Sequence, residues 1–139
     1  MAAFNKFNCF VQDVGRGVHN LNSDTLKVVL SNTAPGAANA VLTDITEIAA
    51  GNGYAAGGTA AASNVYGQSA GTAKLTAGNV VFTASGGAIG PFRYAVLYNA
   101  TAAGHNLIGW WDYGSALTLA DTETFTVSFD PTNGILTLA

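Results

Sequence analysis

Apolar and polar positions change period along this chain, and the changes mark its elements. Phe4, Phe7, Val11 and Val14 fall three and four apart, as on one face of an α-helix, before Gly15 and Gly17 offer a stop. This predicts a short amphipathic helix over residues 4–14, with an edge strand carrying Phe7, Cys9 and Val11 on one face as the competing reading. Leu26, Val28 and Leu30 then alternate with Thr25, Lys27, Val29 and Ser31, the period of a half-buried strand, and the Asn32 to Gly36 segment with Pro35 turns the chain. Asp44 and Glu47 have capping-box spacing beside Leu42, Ile45 and Ile48, so a second short helix is expected over residues 43–50, ending at Gly51. From Gly51 to Gly71 the chain is Gly-, Ala- and Ser-rich. Tyr54, Val65 and Tyr66 are its sizeable side chains, so strands there would be poorly anchored.

The second half reads more clearly as β. Val80 to Thr83, Phe92 to Tyr98, Leu107 to Tyr113, Glu123 to Phe129 and Ile135 to Leu138 are rich in β-branched and aromatic residues and are bounded by Gly, Pro, Asn or Asp. Phe125, Val127 and Phe129 alternate with Thr124, Thr126 and Ser128, which puts one face on a core and the other in a polar environment. Asp130 to Gly134 then reads as a five-residue hairpin loop pairing this strand antiparallel with the last. Tyr94 to Tyr98 is apolar on both faces, so that strand is expected to lie centrally or under a cover. Many short strands without long helices predict a mainly β fold, an antiparallel β-sandwich with one or two short helices, the jelly roll being the preferred variant. Residues 1–139 are read as a single domain, residues 1–16 forming a helical or arm-like N-terminal segment.

Charge changes the picture more than size does. Asp, Glu, Lys and Arg make up 9% of the chain, against about 25% in an ordinary soluble domain, so much of the surface must be neutral. No charged residue lies between Glu47 and Lys74. A surface of this kind suits close contact with a partner, because little charge is desolvated when the interface closes. Five basic residues, Lys6, Arg16, Lys27, Lys74 and Arg93, are scattered among eight acidic ones, which argues against a nucleic-acid partner. The absence of a run of about 18 apolar residues argues against membrane insertion, and Met1 to Phe10 lacks the continuous apolar stretch of a secretory signal. Cys9 is the one cysteine, so no disulfide can form within the chain.

Candidate chemistry is thin. Gly51, Gly53 and Ala56 fit the loose G-x-G-x-x-A pattern, but neither a preceding strand nor a following helix N-terminus is expected there to hold a phosphate. His19 and His105 have no Cys or carboxylate at metal-ligand spacing, and loop solvation is their expected role; zinc would have to gather Cys9, both histidines and distant acids. Asp121 and Glu123 would share a strand face as an acid/base pair, yet solvated carboxylates at a loop junction is the stronger reading. Ser115, His105 and Asp112 lack a nucleophile elbow, and Asn99-Ala100-Thr101 spells a glycosylation sequon of consequence only in a secreted eukaryotic chain. No catalytic, cofactor-binding or metal-ligating residue is assigned. Trp110 and Trp111 are adjacent on a strand and must point to opposite faces, one filling the core while the other reaches outward as an interface anchor or a carbohydrate platform.

Four segments carry a resemblance: Gly17 to Ser31 (GVHNLNSDTLKVVLS), Leu42 to Gly58 (LTDITEIAAGNGYAAGG), Gly90 to Tyr98 (GPFRYAVLY) and Leu107 to Gly114 (LIGWWDYG). The chain thereby resembles the small jelly-roll capsid decoration (cement) proteins of tailed bacteriophages, over nearly its whole length. That resemblance implies a non-enzymatic virion protein, made in the host bacterial cytoplasm and placed on the outer capsid surface. It would clamp major capsid protein subunits, as a homo-oligomer (dimer or trimer) and without cofactor, nucleic acid or membrane. The contact residues expected are Phe4, Phe7 and Phe10 with whichever of Trp110 and Trp111 faces out. The alternative expectation is a tail or fibre module that binds a host surface glycan through one of those tryptophans.

Overall fold

The computed structural model describes residues 3–139; Met1 and Ala2 lie outside them. Ten strands and one α-helix follow one another as β1 (Phe4–Lys6), α1 (Asn8–Gly15), β2 (Leu26–Ser31), β3 (Thr59–Ala60), β4 (Val65–Ser69), β5 (Thr72–Thr76), β6 (Val80–Thr83), β7 (Ile89–Asn99), β8 (Leu107–Leu119), β9 (Thr124–Val127) and β10 (Leu136–Leu138). The fold is mainly β and every named strand pair is antiparallel. A five-stranded sheet in the order β1-β8-β7-β2-β3 forms one layer, and the sheets β10-β5-β4 and β6-β9 form the other. Between them lies the main core, where Val28, Leu30, Leu97, Ile108 and Trp111 meet Leu75, Phe82, Val127 and Phe129. The arrangement is consistent with the expected β-sandwich. Its jelly-roll variant is not confirmed, because β4–β5 and β7–β8 are sequence-adjacent strands paired within single sheets and the second layer is split in two.

β7 is central, as its two apolar faces predict, lying between β8 and β2. The face turned away from the main core carries a second cluster, with Val29, Val96, Tyr98 and Leu107 under Phe7 and Ile45. The same cover explains why β2 is buried on both faces rather than half-buried: Val29 is 0% exposed beneath it. Near the start of β8, Tyr98 pairs with Leu107 and Leu97 with Gly109, so Ile108 is an extra residue and joins the main core instead of alternating away from it.

Residues 4–14 match neither expected element as a whole. Residues 4–6 are a strand on the edge of β8, and the helix begins only at Asn8. Phe4 packs on Trp111 at a ring-centroid distance of 5.1 Å, whereas Phe7 packs on Trp110 at 4.5 Å, on the opposite face of β8. Their three-residue separation therefore reflects a chain wrapping around a sheet edge, not a helix face. Gly109 makes the wrapping possible, since a Cβ there would strike the Phe4 ring.

The helix expected over 43–50 shrinks to a single 3₁₀ turn at Leu42–Asp44, after which the chain is extended and Glu47 bridges Ser31. Asp44 Oδ2 accepts from the backbone N–H groups of Ala40 and Val41 at 2.9 and 3.2 Å, so it closes the turn behind it. Glu47 is no capping residue: its carboxylate accepts from the Tyr54 hydroxyl at 2.7 Å and from Gly57 N–H at 2.8 Å. Ile45, Thr46 and Ile48 are β-branched and favour that extended path. The Gly-rich stretch after it holds two short strands, β3 and β4, and β3 reaches β2 only because Gly58 has no Cβ to meet the Val28 carbonyl.

The predicted β9–β10 hairpin is absent. β9 pairs with β6 and β10 with β5, so the Asp130 to Gly134 loop passes the chain from one sheet to the other. Asp130 Oδ1 accepts from the N–H groups of Thr132 and Asn133, a side-chain turn that needs no strand partner. Burial of Phe129 and Ile135 on either side anchors the crossing.

Candidate interaction surface

Two of the expected contact residues, Phe7 and Phe10, are spent inside the domain, and Trp111 is the tryptophan that faces inward. Phe7 is 0%, Phe10 6% and Trp111 7% exposed, so they serve the two cores and are not free to anchor a partner. Phe4 and Trp110 are half-buried, each stacked on another aromatic ring. The tryptophans do face opposite ways, as adjacency on a strand requires, but neither stands out as an open platform.

The exposed apolar surface lies elsewhere, where α1 runs beside β10. Val11 and Leu138 are 61% and 54% exposed, and with Val14, Tyr66 and Leu136 they line a groove of about 260 Å³ capped by Lys6. α1 turns Phe10 and Asp13 inward, which leaves Val11 outward and Val14 at the rim. Among the described residues β10 pairs on one side only, with β5, so its other edge offers backbone groups to the same groove. Val11 and Leu138 were each legible as members of a patterned element, but their adjacency depends on β10 pairing with β5, which no local pattern in the sequence encodes.

The remaining candidates resolve into structural contacts. Asp112 and Arg93 form a two-pronged ion pair with N–O distances of 2.8 and 3.1 Å, and the guanidinium holds the Asp112 carboxyl below the usual carboxylate range. His105 is exposed against Tyr98, about 20 Å of strand away from Asp112, and Ser115 lies in an irregular excursion of β8, so these three form no triad. Asp121 accepts from Gly86 N–H and Glu123 from Ala120 N–H, each stapling a turn. Cys9 points its sulfur at the carbonyls of Asn39, Ala40 and Leu107, and burial pushes its thiol up, away from the thiolate a metal would need. Among the described residues no group of three His, Cys, Asp or Glu side chains converges. Gly51 and Tyr54 bridge each other in a turn, with no helix after them for a phosphate. Asn99 is 0% exposed, which removes the sequon from reach. His19 is half-buried and hydrogen-bonded, not solvated in a loop.

Among the described residues no helix is long and apolar enough to cross a membrane. Comparison with known proteins finds no matching family model, no matching curated protein and no matching solved structure.

Proposed function

We propose that this chain is a non-enzymatic structural protein that decorates the outside of a tailed-phage capsid and stabilises it by clamping major capsid protein subunits. The observation that carries the reading is the apolar seam between α1 and β10, with Val11 and Leu138 more than half exposed beside an open strand edge. Exposed apolar side chains gathered around a groove favour a protein partner, and a surface with few charges lowers the desolvation cost of covering it. Each Å² of apolar surface covered contributes about 25 cal/mol before ordering costs, and a symmetric shell repeats the contact many times. The resemblance of the Gly17 to Ser31, Leu42 to Gly58, Gly90 to Tyr98 and Leu107 to Gly114 segments to cement proteins supplies the identity of that partner.

The experiment compares purified particles without this protein, with it restored, and with a Val11→Asp or Leu138→Asp form restored. The reading expects the wild-type chain to raise resistance to heat and low salt, and the charged variants to bind poorly although their folds melt normally. Particles equally stable with and without the protein would remove the cementing role. Labelling of the tail in place of the head would instead move the protein to the glycan-binding alternative.

A further inference from the structure

α1, the loop after it and the turn between β7 and β8 meet in a polar knot. Asn99 at the end of β7 is fully buried, and its orientation is fixed: Oδ1 accepts from the backbone N–H groups of Thr101 at 2.9 Å and Ala102 at 3.1 Å. Its amide nitrogen must face the other way, where its two hydrogens have two acceptors, Asp24 Oδ2 at 2.7 Å and His19 Nδ1 at 3.0 Å. His19 Nδ1 is therefore unprotonated, the ring is neutral, and its proton sits on Nε2. Nε2 is buried and has no hydrogen-bond partner among the described residues.

A second proton has no good place in this arrangement. On Nδ1 it would point at the N–H groups of Asn99, so neither ring N–H of the imidazolium would be satisfied. Phe10 packs on the ring at 5.4 Å, further limiting water. The charged groups facing it are Asp13 from α1 and Asp24 from the segment before β2; the β7–β8 turn contributes the neutral amides of Asn99 and Asn106, the latter donating to Asp13 at 3.1 Å. Both carboxylates favour the charged ring, yet burial outweighs them and holds His19 below the ordinary histidine value of 6.5.

We propose that the His19–Asn99 contact is an acid-sensitive latch, in which protonation of His19 breaks the bond and releases the loop after α1 from the end of β7. The sign follows from linkage: the unfolded chain takes up this proton at a higher pH than the folded one. The latch thus contributes fully above about pH 6.5, and its contribution is lost as pH falls from there through the folded value.

Ring titration by NMR on the full chain, where His19 and His105 are the two histidines, tests this together with melting from about pH 8 to about pH 5. The latch expects His19 to titrate below the ordinary histidine value, to carry its neutral-state proton on Nε2, and to make the wild-type melting temperature fall with acid more steeply than that of His19→Gln. A His19 that titrates at or above the ordinary value, or a His19→Gln chain with an unaltered slope, overturns the proposal. Should His19→Gln fail to fold, wild-type amide exchange decides. Rates at Thr101 and Ala102 should rise about tenfold per pH unit lost across the His19 titration, after correction for intrinsic exchange, and rates unchanged by that titration overturn the latch.

Discussion

On one face of the β7–β8 hairpin a second layer of strands covers the sheet; on the other, Phe7, Ile45, Leu42 and Cys9 do so from largely irregular chain. Strands bring their own ladders of backbone hydrogen bonds. Irregular chain must find acceptors for its N–H groups one at a time, and here side chains provide them. Asp44 takes Ala40 and Val41, Glu47 takes Gly57, and Ser31 Oγ takes Thr33 at 3.1 Å. Asp44 and Glu47 thereby serve backbone that lies outside the strands and the α-helix.

If the strand-covered side is the main source of cooperativity, its fully buried phenyl ring should matter most. Phe92→Ala, at 0% exposure, is expected to cost about 3–5 kcal/mol in denaturant unfolding, with protection lost throughout the sandwich. Phe7→Ala removes an equally buried ring from the irregular cover. Its cost should lie near about 3 kcal/mol, with hydrogen exchange rising first at Asn8 and Leu42 to Ile45 while β6 and β9 stay protected. Simultaneous loss everywhere would show the two cores to be one unit.

Tyr54→Phe isolates the polar fastening itself. The hydroxyl accepts from Leu30 N–H at 3.1 Å and donates to Glu47, so its removal leaves a buried donor unpaired and should cost about 1–3 kcal/mol by equilibrium denaturation. The same burial, assisted by the Glu47 carboxylate, raises the Tyr54 hydroxyl far above its ordinary range, and spectrophotometric titration of the folded chain should find it resistant to base. The smallest effect is expected from Arg93→Ala. That ion pair is solvent-facing, with both side chains 39% exposed, so the melting temperature should be unchanged within error.

The same division explains what could be read beforehand. The strands of the second half were legible because Val80 to Thr83 or Phe125 to Phe129 alternate cleanly between core and solvent, and burial follows that alternation. The opposite facing of Trp110 and Trp111 followed from adjacency alone. The partners of β9 and β10 were not legible, because a five-residue loop of Asp, Pro, Thr, Asn and Gly serves a hairpin and a crossing between sheets equally well. Phe4 and Phe7 misled because three-residue spacing also arises when a chain folds around a sheet edge. The groove escaped notice since its two walls lie at opposite ends of the sequence.

The extra residue at Ile108 divides β8 into two phases. Ahead of it Leu107 looks away from the sandwich; beyond it Gly109 and Trp111 look in and Trp110 looks out. A second irregularity follows Asp112, where the pairing of β8 with β7 skips ahead to Leu117. The four residues from Gly109 to Asp112 are thus framed by two slack joints, each able to absorb a gained or lost residue outside the frame. Within the frame there is no such tolerance: one residue deleted would exchange the environments of two indole rings at once.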